Sequence, residues 1–123
     1  MKMLFIFRGP CGAGKTYIRK AMKMKAEHGL DMADYDRSAP LSERVDAPAN
    51  WLAKHHNENV VWIEGIFAPN SPSFKGIMEE CEEQGRLVQS ITVTADMELL
   101  TDRIGEHDSD RLRLASIYVR RFC

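Results

Sequence analysis

Eight consecutive residues, Gly9-Pro10-Cys11-Gly12-Ala13-Gly14-Lys15-Thr16, carry the most specific chemistry in the sequence. They satisfy the pattern G-x-x-x-x-G-K-[ST] in full. Glycines let the backbone wind tightly and approach an anion with no Cβ in the way. Successive backbone N–H groups then converge as a nest for phosphate oxygens. A helix N-terminus behind the loop adds partial positive charge. Lys15 supplies a cation for the outer phosphates, and the Thr16 hydroxyl supplies a hard oxygen for Mg²⁺. Cys11 reads as a small filler inside the loop. Gly9, Cys11, Gly12, Ala13, Gly14, Lys15, Thr16 and the adjoining Tyr17 are therefore expected to cradle a triphosphate tail.

Such a loop needs a strand before it and a helix after it. Residues 3–8 (MLFIFR) are an apolar run broken by Gly9 and read as a buried strand. Residues 15–28 place Ile18, Ala21, Met22 and Ala26 at helical spacing, with Gly29 as a stop and the lysines on a solvated face. Further along, the pattern predicts a weak strand over 30–36, a loop over 37–48 around Pro40 and Pro48, and a short helix over 49–58. A continuous apolar strand, 60–63 (VVWI), ends at Glu64-Gly65. A loop over 66–74 leads to a helix over 74–84 stopped by Gly85, and a β-branched strand covers 87–94. Residues 96–106 and 111–122 read as helices around a polar break at 107–110. Strand and helix alternate, which implies parallel strands joined by right-handed crossovers. The strands lack clean alternation, as expected where helices cover both faces.

The 123 residues fit one domain, with 44% hydrophobic and 28% charged residues. Lys plus Arg number 17 against 18 Asp plus Glu, a formal net charge of -1, which disfavours a protein that coats duplex nucleic acid through bulk charge. No apolar stretch approaches the length of a membrane span, and a cytoplasmic location is expected. Three widely spaced cysteines, Cys11, Cys81 and Cys123, define neither a disulfide framework nor a zinc set. The histidines 28, 55, 56 and 107 do not recur at metal-ligand spacing and read as surface residues. Trp51 is expected to pack in the core or under a lid rather than to stack on a bound ring.

With its phosphate loop between strand and helix, the chain resembles the small hydroxyl-phosphorylating P-loop kinases: polynucleotide 5′-hydroxyl kinases, zeta-toxin-like kinases, and shikimate and gluconate kinases. The resemblance implies the P-loop NTPase fold, an α/β three-layer sandwich with a parallel sheet of four to five strands, in a single domain over 1–123 with a lid near 104–113. It implies ATP or GTP with Mg²⁺, and transfer of the γ-phosphate to an acceptor hydroxyl on a polynucleotide 5′ end, a nucleoside or a small molecule. Asp34-Tyr35-Asp36-Arg37 matches two patterns of these kinases at once. As Asp-x-x-Arg, Asp34 would accept the proton of the hydroxyl and Arg37 would hold the acceptor. As Asp-x-Asp, Asp36 would share the work, one acid near the metal and one on the hydroxyl. Glu64, at the end of an inner strand, would sit near the metal with Thr16 and Asp36, although a strict Walker B strand would carry Asp. An acid closing an apolar run needs a partner. Arg103 would lie against the adenine, and Arg111 and Arg113 would close over the transferring phosphoryl group. After the lid the chain is short for these kinases, which leaves the adenine pocket open. Two other readings stand beside this one: a nucleotide-binding switch or NTPase without an acceptor, and a nucleoside monophosphate kinase in which Arg37 and Arg44 clamp the acceptor phosphate.

Overall fold

The computed structural model describes residues 1–10, 14–68 and 70–93. The expected helices over 96–106 and 111–122, the lid near 104–113 and any fifth strand lie outside the described residues, as do Cys11, Gly12, Ala13, Arg103, Arg111 and Arg113.

Strand β1 (Met3–Arg8) is followed by helix α1 (Lys15–Ala21), strand β2 (Gly29–Asp31), helix α2 (Leu41–Lys54), strand β3 (Val60–Gly65), helix α3 (Pro72–Gln84) and strand β4 (Leu87–Thr92). The four strands form one parallel sheet in the order β2-β3-β1-β4. This is the P-loop NTPase arrangement. The path from β1 to β2 runs one way along the sheet, and the paths from β2 to β3 and from β3 to β4 run the other way. Right-handed crossovers then put α1 on one face and α2 with α3 on the opposite face. Side chains agree. Leu4, Ile6, Val61 and Ile63 pack against Leu52 of α2 and Ile77 and Cys81 of α3, forming the main core. The alternate residues Phe7, Trp62 and Glu64 are also buried and face α1. Two apolar sets on one short strand explain why β3 shows no alternation. Cys81 is a core residue whose thiol is pushed up to about 11 by burial.

Three sequence-based boundaries are corrected. The helix predicted over 15–28 ends at Ala21. Lys23 takes a left-handed conformation (φ 61°), and residues 26–28 form a separate 3-10 turn. The chain leaves the helix there because it must descend to the far side of β3. Trp62 Nε1 donates to the Lys25 carbonyl at 2.8 Å and draws the segment across the sheet. Gly29, expected to stop a helix, instead opens β2, which spans three residues rather than 30–36. Its backbone is extended, and a Cβ there would lie 2.0 Å from the Trp62 indole, so only glycine fits.

The loop predicted over 37–48 holds only through Pro40; the rest of it joins the first part of the helix predicted over 49–58 as one helix, α2 (Leu41–Lys54), with Pro48 in its interior. Proline removes a helical N–H and crowds the preceding turn. Here the ring is fully buried, and Ser73 Oγ of α3 donates to the Val45 carbonyl at 2.9 Å, satisfying a carbonyl next to the disturbance. Helix α3 begins two residues earlier than predicted, with Ser71 accepting from the Phe74 N–H and Pro72 in the first turn, and ends at Gly85 as expected. Trp51 packs against the core and stacks on His55, with ring centroids 4.0 Å apart.

Candidate functional site

Strands β1 and β3 are neighbours whose outgoing connections run in opposite directions on opposite faces. The crevice at their carboxyl ends is where parallel α/β sheets bind ligands. β1 delivers Gly9 there and β3 delivers Glu64. Gly9 has φ 156°, and a Cβ on it would lie 2.1 Å from the Val93 carbonyl oxygen. The Val93 N–H in turn donates to the Arg8 carbonyl at 2.8 Å. The first glycine of the motif is thus required by the passage of the chain leaving β4, before any phosphate is considered.

Beyond the loop, Lys15 begins α1. Its Nζ donates to the carbonyls of Gly9 (2.6 Å) and Pro10 (3.1 Å), so the ammonium lies across the loop it belongs to. Thr16 Oγ1 donates to Glu64 Oε1 at 2.5 Å. Glu64 is 3% exposed, and its second oxygen accepts from Arg19 Nε of α1 at 3.2 Å. Arg19 is itself buried. Its Nη1 donates to the Met24 carbonyl at 3.2 Å, and its guanidinium lies 4.1 Å from the centroid of the Trp62 ring. The strand-end acid that needed a partner has two, one a hydroxyl and one a cation.

Asp31 closes β2 directly beside Glu64 in the strand register. Its Oδ1 accepts from the Ala33 N–H at 2.9 Å. Burial pushes the Asp31 carboxyl above its ordinary value, the Glu64 and Asp34 charges add to the rise, and the Ala33 N–H and Arg19 oppose it. The crevice therefore holds two neighbouring carboxylates, with the Arg19 guanidinium on one of them and the Lys15 ammonium on the loop carbonyls.

Sequence reasoning missed Arg19 and Asp31. Arg19 stood among lysines read as a solvated face; a period-3.6 count from Ile18 does not place it inward. Asp31 was read as interior to a longer strand. The available signal was Glu64, whose apolar surroundings demanded a cation.

Asp34 lies in the 3-10 turn after β2 and is exposed. Asp36 is exposed too. Its Oδ1 accepts from the Ser38 N–H (2.9 Å) and hydroxyl (2.7 Å), and these bonds hold its carboxyl below the ordinary value. Arg37 is exposed, and Arg44 Nε donates to the Ala39 carbonyl at 3.1 Å. Tyr17 is 79% exposed on the first turn of α1. Lys15, Thr16 and Glu64 are thus brought together. Asp34, Asp36 and Arg37 follow β2 at the same carboxyl edge, and no hydrogen bond or ion pair found among the described residues joins them to Thr16 or Glu64. Among the described residues no group of three or more His, Cys, Asp or Glu could hold a metal alone, and no helix is long and apolar enough to cross a membrane.

Comparison with known proteins agrees with the topology. No family model matches the chain, and no curated protein matches it. Among solved structures, shikimate kinase from Bacteroides thetaiotaomicron is similar over 96% of this chain and 77% of its own, with a TM-score of 0.60 and 17% identity. The protein APE1195 is similar over 94% of this chain and 74% of its own, with a TM-score of 0.59 and 23% identity. The likeness is one of fold, the α/β P-loop NTPase fold.

Proposed function

We propose that the protein is an ATP-dependent phosphotransferase that moves the γ-phosphate to an acceptor hydroxyl. The observation that carries this reading is the Thr16–Glu64 hydrogen bond at the mouth of the loop. A hydroxyl that gives its proton to a carboxylate keeps its lone pairs for a metal. Mg²⁺ binds through one or two protein oxygens, waters and phosphates rather than an all-protein cage. Thr16, Glu64 and Asp31 fit that demand with hard oxygens. Mg²⁺, when bound with nucleotide, would neutralise phosphate charge.

The chain's own residues supply the rest. The Lys15 ammonium moves from the Gly9 and Pro10 carbonyls to the β- and γ-phosphates. Asp34 or Asp36 accepts the proton of the acceptor hydroxyl, and Arg37 positions the acceptor. By the resemblance, Arg111 and Arg113 would close over the phosphoryl group and Arg103 would serve the base. Phosphoryl transfer is mostly positioning and charge stabilisation, so these placements carry the rate. The acceptor is a polynucleotide 5′ end, a nucleoside or a small alcohol.

The test is γ-labelled ATP, with GTP in parallel, against 5′-hydroxyl oligonucleotides, nucleosides, nucleotides and small alcohols. Label should pass to one acceptor class. Lys15→Ala should lower turnover by about 10²-fold or more with the fold intact, and unimpaired transfer by that variant would remove Lys15 from the mechanism. The exposure of Asp34 and Asp36 supports a second reading, a nucleotide-binding NTPase with no acceptor. Asp34→Asn/Asp36→Asn distinguishes the two, because transfer is lost in the first reading and nucleotide hydrolysis is unchanged in the second.

A further inference from the structure

From the contacts around Arg19 we infer that it is the positioning residue that sets how strongly Mg²⁺ reinforces nucleotide binding, acting through Glu64. The inference rests on the phosphotransferase reading for its ligand and adds a residue which that reading does not use. Arg19 is pinned by three contacts of different kinds: Nε on Glu64 Oε2, Nη1 on the Met24 carbonyl, and the guanidinium face on Trp62. It is 7% exposed. A guanidinium held from three sides does not swing out to a phosphate. Its work is done on Glu64.

Glu64 has two oxygens, and each has one partner. Thr16 alone would leave the carboxylate plane free to rotate about that single bond. The bond from Arg19 fixes the plane, so Oε1 stays turned toward the Thr16 hydroxyl. Asp31, the register neighbour of Glu64, puts a second carboxylate at the same strand ends, so the Arg19 cation faces both. Partners that orient the groups around a metal typically govern its affinity 10- to 100-fold.

The readout is the ratio of nucleotide Kd in EDTA to Kd in saturating MgCl₂, measured by calorimetry with non-hydrolysable ATP and GTP analogues. Wild-type protein should bind more tightly with MgCl₂. Arg19→Met should leave the EDTA Kd unchanged and reduce the ratio by about tenfold or more. Arg19→Lys keeps the charge without the fork, and should give an intermediate ratio. Glu64→Gln should reduce the ratio by itself, and adding Arg19→Met to it should reduce the ratio no further. Should Arg19→Met fail to fold by circular dichroism, Arg19→Lys and the Arg19→Met/Glu64→Gln pair, which strands no charge, carry the comparison.

A wild-type ratio in the arginine variants overturns the inference, as does a further fall in the Glu64→Gln background. An equal loss of affinity with and without MgCl₂ also overturns it, since the arginine would then act on nucleotide or fold. Wild-type protein that binds neither analogue under either condition rejects the phosphotransferase reading itself, a result distinct from all of these.

Discussion

Asp31 shows how burial at a strand end becomes a measurable property of one side chain. Its folded pKa is raised, so the folded protein holds that proton more tightly than the unfolded chain. The resulting stability is complete below the unfolded value, about 3.9, and is lost as pH rises through the folded value. Asp31→Asn can keep the bond from the Ala33 N–H and removes the loss. Its Tm at pH 7 without divalent cations should exceed that of wild type, and the two should converge below about pH 4. A lower Tm for the variant across the whole pH range would show that the carboxylate stabilises this corner. At this scale the motif made Lys15 and Thr16 legible, and the cost of an acid in an apolar run marked Glu64. Arg19 was not legible because nothing in a run of basic residues says which one turns inward. The turn that fixes it involves Met24 and Trp62, five and 43 positions away along the sequence.

At the scale of elements, the strands were largely readable and the connections were not. β1, β3 and β4 fell within two residues of expectation because apolar runs bounded by Gly or polar residues have few other uses. α2 was missed because Pro48 outweighed the helical spacing of Val45, Leu52 and their neighbours. Local rules could not foresee the hydroxyl from Ser73 on a separate helix. β2 shrank because its length is set by contact with β3, not by its own composition. Gly29→Ala tests that contact. The added methyl meets the indole of Trp62, and the variant should lose about 1–3 kcal/mol in urea unfolding. A midpoint equal to wild type would mean that the indole moves aside without cost.

Across the whole molecule, the two edges of the sheet do different work. The carboxyl edge collects Lys15, Thr16, Asp31 and Glu64. The amino edge is tied by Arg86, which is 5% exposed. Its guanidinium donates to Gln84 Oε1 and to the carbonyls of Met3, Asn59 and Glu58, at 2.9 to 3.3 Å. One side chain thus joins the start of β1, the approach to β3 and the end of α3. Arg86→Met removes these hydrogen bonds to partly buried carbonyls, of which that of Asn59 still accepts from the Met3 N–H, and should cost about 2–5 kcal/mol, at roughly 1 kcal/mol or more per bond. Nucleotide affinity of the folded fraction should be unchanged, since the substitution lies at the far end of the strands. A parallel loss of affinity would show that the edges are coupled.

Trp62 gives the protein a built-in optical reporter. Of the two tryptophans, Trp51 is stacked on the His55 imidazole, whereas Trp62 is shielded from water beneath the Arg19 guanidinium. The Arg19 guanidinium touches both that indole and the Glu64 carboxylate, so any ligand that reorients the carboxylate should change the Trp62 emission without a label.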